Sequence, residues 1–125
     1  IASFFKKEIS KIKVENLNYL KRSYVLDSLY IKEGDSFWRF NSKKLKSNLN
    51  LLREIEDYNF ELSNDGVLTI TINEKKPYMI WSFSNKKKII DSEGFILNFS
   101  QVPVENLINI SGYINKKNYM TSIKF

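Results

Sequence analysis

The sequence has no cysteine and no histidine. The first absence excludes disulfides, thiol nucleophiles and thiolate metal sites, and the second excludes the imidazole base and the commonest metal ligand. Neither fixes a redox compartment. Glycine occurs four times, at Gly34, Gly66, Gly94 and Gly112, never clustered, so there is no glycine-rich phosphate loop. Proline occurs twice, at Pro77 and Pro103. Arginine is scarce beside lysine although the net charge is +6, whereas bidentate phosphate recognition favours arginine. No apolar run approaches the roughly 20 residues that span a bilayer.

Carboxylates do lie close together at Glu33 and Asp35, at Glu54, Glu56 and Asp57, and at Asp91 and Glu93. None has the spacing of a calcium loop, and no nucleophile, base and stabiliser come together. The chain is therefore expected to be non-catalytic, without metal and without cofactor. Its lysines, including Lys43, Lys44, Lys46 and Lys86 to Lys88, read as solvated faces rather than a nucleic-acid footprint. Tyr58 and Phe60 are expected on opposite faces of their strand, which would leave no aromatic platform for bases.

The chain's 125 residues, 42% of them hydrophobic, suffice for a packed core in one domain, or one small domain and part of another. The stretch from Ile55 to Trp81 organises it. Tyr58, Phe60 and Leu62 alternate with Asn59 and Glu61, and Leu68, Ile70 and Ile72 alternate with Thr69, Thr71 and Asn73. A period of two gives each arm one apolar face, and Asn64-Asp65-Gly66 between them is a turn signal. An antiparallel hairpin is expected, closed by Pro77, which cannot donate to a ladder.

Upstream, Ile12 and Val14 mark a short strand. Ser23 is the expected cap of a helix over Tyr24 to Tyr30, with Val25, Leu26 and Leu29 at helical spacing. Asn41 or Ser42 caps a second helix, whose stripe is Leu45, Leu49 and Leu52. Trp38, between the helices, is expected to plug the core. The order strand, helix, helix, strand, strand predicts a sheet with both helices on one face, an α+β layer pair. After Lys76 the texture becomes all-β. Met79 to Phe83, Ile89 to Asp91 and Phe95 to Leu97 read as strands, with Ser84 to Lys88 and Ser92 to Gly94 as turns. Pro103 breaks the pattern, Leu107 to Ile110 is a further apolar piece before Gly112, and Tyr113 to Phe125 suggests no element.

These residues together resemble the extracytoplasmic part of the FtsQ/DivIB family of bacterial cell-division proteins. The features run from Lys11-Ile12-Lys13-Val14, through Ile31 to Gly34 and Ser36-Phe37-Trp38, to the leucine stripe, Ile55-Glu56 and Leu68-Thr69-Ile70. The most specific are Glu74-Lys75-Lys76-Pro77 with Ile80-Trp81, followed by Ile89-Ile90-Asp91-Ser92-Glu93-Gly94. The resemblance implies a membrane-proximal lead-in at 1–8, a POTRA domain at 9–76, and at 77–125 the opening of the family's longer β-subdomain, expected here as a partial antiparallel sheet. It implies a scaffold of the divisome whose partners are other septal membrane proteins, of FtsB, FtsL and septal-synthase type, with no nucleic acid. The family's late strands, which dock FtsB and FtsL, have no counterpart here.

The resemblance also implies a single-pass inner-membrane protein with this portion on the periplasmic side. The resemblance places a membrane anchor upstream, and the sequence, which begins Ile1-Ala2-Ser3-Phe4-Phe5 rather than with Met, reads as a cut piece. Phe4, Phe5, Lys6 and Lys7 would then lie near headgroups. In the family, the strand before the hairpin turn is implicated in partner contacts, and by position Asp57, Phe60 and Leu62 are the partner-binding residues carried over. The alternative is a POTRA module of an outer-membrane assembly or translocation protein, receiving extended polypeptide segments.

Overall fold

The computed structural model describes residues 7–100, 102 and 107–111. Phe4, Phe5, Lys6, Pro103, Gly112 and the segment 113–125 lie outside the described residues. The chain divides into two compact units, Ile1–Glu74 and Lys75–Phe125.

The first unit contains β1 (Lys11–Glu15), α1 (Arg22–Leu29), a single tight helical turn (Phe37–Arg39), α2 (Ser42–Asn50), β2 (Ile55–Leu62) and β3 (Val67–Glu74). This is the α+β order strand, helix, helix, strand, strand read from the sequence. The sheet order is β1-β3-β2, with β1 parallel and β2 antiparallel to the central β3. The central strand carries Leu68, Ile70 and Ile72, all fully buried beside Val25, Leu29, Leu45 and Leu49 of the helices. Each such side chain contributes about 1.5–3 kcal/mol by leaving water, so one face of one strand supplies much of the core.

Asn41 caps α2 as expected: its Oδ1 accepts the Lys44 amide at 3.1 Å. Leu45, Leu49 and Leu52 are buried, as the stripe requires. Ser23 is not the cap of α1. The helix begins at Arg22, its flanking residue is Lys21, and no side chain caps it. Tertiary contacts hold that end instead, because the Arg22 guanidinium donates to the Ile12 carbonyl at 2.6 Å and lies 3.7 Å from Glu33. Trp38 does not plug the core. It is 52% exposed, and the core at that end is filled by Ile9, Leu29 and Leu45.

The second unit holds β4 (Met79–Phe83), β5 (Lys86–Ile90), β6 (Ile96–Leu97) and β7 (Ile108–Ser111), in the sheet order β6-β5-β4-β7, with β7 parallel to β4, so the sheet is mixed rather than antiparallel throughout. The turn between β4 and β5 is shorter than the expected Ser84 to Lys88. Ser84 and Asn85 alone have positive φ, 48° and 64°, and Lys86 to Lys88 belong to the strand. After β5, Asp91 makes the next turn. Its Oδ1 accepts the amides of Glu93 and Phe95, each at 2.9 Å, and its other oxygen lies 3.6 Å from Lys75 Nζ.

Candidate partner-binding surface

The sheet order leaves β1 and β2 as the two edges of the first unit's sheet. Unpaired edge strands invite another strand, and proteins commonly guard them. The edges differ in how they are guarded. On β1 the outward groups of Ile12 are occupied by side chains: its amide donates to Glu33 Oε2 at 2.9 Å and its carbonyl accepts from Arg22 at 2.6 Å. That edge is also short, five residues.

The edge of β2 is longer, eight residues, and more open. The Ser63 amide donates to the Val67 carbonyl at 2.9 Å, which fixes the phase of the ladder. Antiparallel pairs alternate between bonded and non-bonded, so Asn59 and Glu61 bond inward to Thr71 and Thr69. Tyr58, Phe60 and Leu62 therefore turn their backbone groups outward. Among the described residues, the Phe60 amide is covered by one neighbour only, the Asn59 side-chain oxygen at 3.0 Å.

Side chains on β2 sort by the same alternation. Tyr58, Phe60 and Leu62 lie opposite Ile72, Ile70 and Leu68, on the helix-covered face, and are half-buried at its rim. Tyr58 and Phe60 thus share a face, contrary to the expectation of opposite faces, since residues two apart on a strand must do so. Their rings stack at 6.5 Å, and Phe60 meets Phe40 edge-on at 6.4 Å. The Tyr58 hydroxyl donates to Asn50 Oδ1 at 2.9 Å, at the end of α2. Of the three residues carried over from the resemblance, Phe60 and Leu62 come together on this rim. Asp57 lies opposite Asn73 on the other face, hydrogen-bonded to its side-chain amide.

The sequence reading missed a cavity of about 320 Å³ between the end of α1 and the start of α2. Its walls include Tyr30, Arg39, Phe40, Asn41 and Lys44 over a floor of Ile9 and Leu45. The signal was faint, because these residues are scattered over more than thirty positions of sequence.

Of the acidic clusters, those at Glu33 and Asp35 and at Asp91 hold backbone, whereas Glu54 and Asp57 accept from the side chains of Tyr24 and Asn73. Glu33 accepts the Ile12 amide, Asp35 accepts the Lys32 amide at 3.0 Å, and Asp91 builds its turn. Among the described residues, no group of three or more acids stands where a metal ion could be held. In the hairpin turn, the Ser63 hydroxyl donates to Asp65, which holds that carboxyl below its ordinary range, with its backbone hydrogen bond and the charges of Lys7 and Lys13 acting the same way. Ser63→Ala is expected to raise the Asp65 pKa, read by NMR titration of its carboxyl carbon. The lowered value means that the turn's stabilising contribution is complete above the unfolded pKa and is lost as pH falls through the folded one.

Comparison with family models matches residues 7–75 to the POTRA domain, FtsQ-type. No curated protein matches the chain.

Proposed function

Because the chain belongs to the FtsQ-type POTRA domain family, we propose that it is a non-catalytic scaffold of the bacterial divisome, joining septal membrane proteins through its first unit. POTRA domains are interaction modules, and the FtsQ type points to a role in cell division on the extracytoplasmic side of a membrane protein. Among the described residues no helix is long and apolar enough to cross a membrane, so the anchor belongs to this proposal. The second unit is proposed as the opening of the family's β-subdomain. The FtsQ-type match does not favour the outer-membrane assembly alternative.

One observation carries the reading: β2 is the open edge of a sheet whose other edge is blocked by Arg22 and Glu33. An extended partner segment adds to such an edge through main-chain hydrogen bonds. Phe60 and Leu62 would supply the outward backbone groups and the apolar rim, and Asp57 a charged flank on the far face.

Leu62→Pro tests this without cutting the ladder. Its amide points outward, and proline is tolerated on an edge strand at such a position. In pull-downs of septal proteins with the anchored full-length protein, recovery is expected to fall at least about tenfold, the loss of ~1.4 kcal/mol or more, while amide-exchange protection of β3 persists. Phe60→Glu should act in the same direction once its folding is verified. Unchanged recovery with both variants folded would remove β2 from the interface.

A further inference from the structure

We infer that the corner formed by Lys7, Phe37, Trp38 and Arg39, with Tyr30 beside it, seats on the surface of a bilayer containing anionic lipid. Trp38 and Tyr30 are 52% and 81% exposed, and with Leu51 they are the exposed large apolar side chains among the described residues of the first unit. The corner is firmly built. The Phe37 amide donates to the Lys7 carbonyl at 3.0 Å, and Glu8 bridges Ser36. Lys7 Nζ stands 4.0 Å over the Phe37 ring and 5.7 Å from that of Trp38, which meets Phe37 edge-on at 5.1 Å.

Arg39 follows Trp38 directly in the tight turn and lines the same cavity as Tyr30. Among the described residues neither Arg39 nor Lys44, on the same cavity wall, forms an ion pair. Of the nearby acids, Asp35 accepts the Lys32 amide and Glu33 is engaged by Arg22 and Ile12, while Glu8, next to Lys7, is exposed.

Amphipathic aromatics flanked by long basic side chains suit the headgroup layer, where a ring meets the acyl boundary and the cation meets phosphate. Position agrees with chemistry. Residues 1–6 join the chain at Lys7, a member of this corner, and their sequence ends Phe4-Phe5-Lys6. The occupant is thus a lipid surface rather than a protein groove. The inference rests on the reading that the chain is held at a membrane.

The test supplies that proximity itself. The chain is tethered through an N-terminal histidine tag to phosphatidylcholine vesicles carrying a nickel-chelating lipid and a gadolinium-chelate lipid, with or without phosphatidylglycerol. Amide broadening should peak at Lys7, Phe37, Trp38 and Arg39, and should grow with phosphatidylglycerol. Lys7→Glu with Arg39→Glu should reduce docking by more than roughly fivefold per residue, the scale of one basic side chain at an anionic surface. Separately, in a folded Trp81→Phe background, brominated lipid should quench Trp38.

Uniform broadening, a peak on β2 or α2, or a response indifferent to phosphatidylglycerol would overturn the inference. Because the tether replaces the anchor, such a result leaves the divisome reading untouched. Loss of that reading would show instead in the pull-down.

Discussion

Replacing Glu74 by alanine is expected to destabilise the first unit by about 2–4 kcal/mol, on the scale of removing several charge-assisted hydrogen bonds that partly rewet. The Glu74 carboxylate gathers three consecutive amides of the loop between β1 and α1. It accepts from Asn18 at 3.1 Å, from Tyr19 at 2.9 Å and from Leu20 at 2.9 Å. Leu20 is buried, so its amide has little water to turn to. A domain of this size shifts its melting temperature by ~4–8 °C per kcal/mol, so calorimetry should show a fall of about 8–32 °C. Glu74→Gln keeps one acceptor oxygen and should fall between. An unchanged melting temperature in Glu74→Ala would mean that loop 18–20 is held by its packing alone.

That result would also explain a sequence motif. Glu74, just ahead of Lys75-Lys76-Pro77, was legible as part of a junction between two parts of the chain. Its partner loop was not, because nothing in Asn18 to Leu20 announces a carboxylate more than fifty positions away. The same division runs through the fold. The hairpin, the Asn41 cap and the stripe Leu45, Leu49 and Leu52 were readable because period and turn chemistry are local properties.

The start of α1 was not readable, because Arg22 is fixed by Ile12 and Glu33 rather than by a neighbouring hydroxyl. Trp38 was misplaced because size and apolarity argue for burial, whereas Ile9, Leu29 and Leu45 already fill that end of the core. The charge of Lys86 to Lys88 suggests a turn, but Ser84 and Asn85 close the hairpin between them. For the site, the family resemblance named Asp57, Phe60 and Leu62 of β2 by position, and alternation alone could not say which face each occupies. Only the sheet order and the side chains on Ile12 distinguish an open edge from a blocked one.

The same tie between hairpin and lead-in predicts that Gly66→Ala is far more damaging than Gly34→Ala. Both glycines have left-handed backbones, with φ of +87° and +98°. A side chain there costs about 1–2 kcal/mol in backbone strain alone. At Gly34 an added Cβ meets no atom within 4 Å, so strain is the whole cost. At Gly66 the Cβ would lie 2.5 Å from the Glu8 carbonyl oxygen and 3.3 Å from the Ser10 amide nitrogen, both backbone. Relief requires the lead-in to move, yet the Ser10 amide is bonded to the Gly66 carbonyl at 2.9 Å, one residue ahead of the Lys11–Val67 pairing that starts β1 against β3. Overpacking of this kind adds about 1–3 kcal/mol. Denaturant unfolding should therefore place Gly66→Ala roughly 1–3 kcal/mol below Gly34→Ala, with early loss of amide protection at Ser10 and Ile12. Equal stabilities would show that the lead-in lifts away freely. The turn would then play no part in holding the Lys7 corner or the guarded edge of β1.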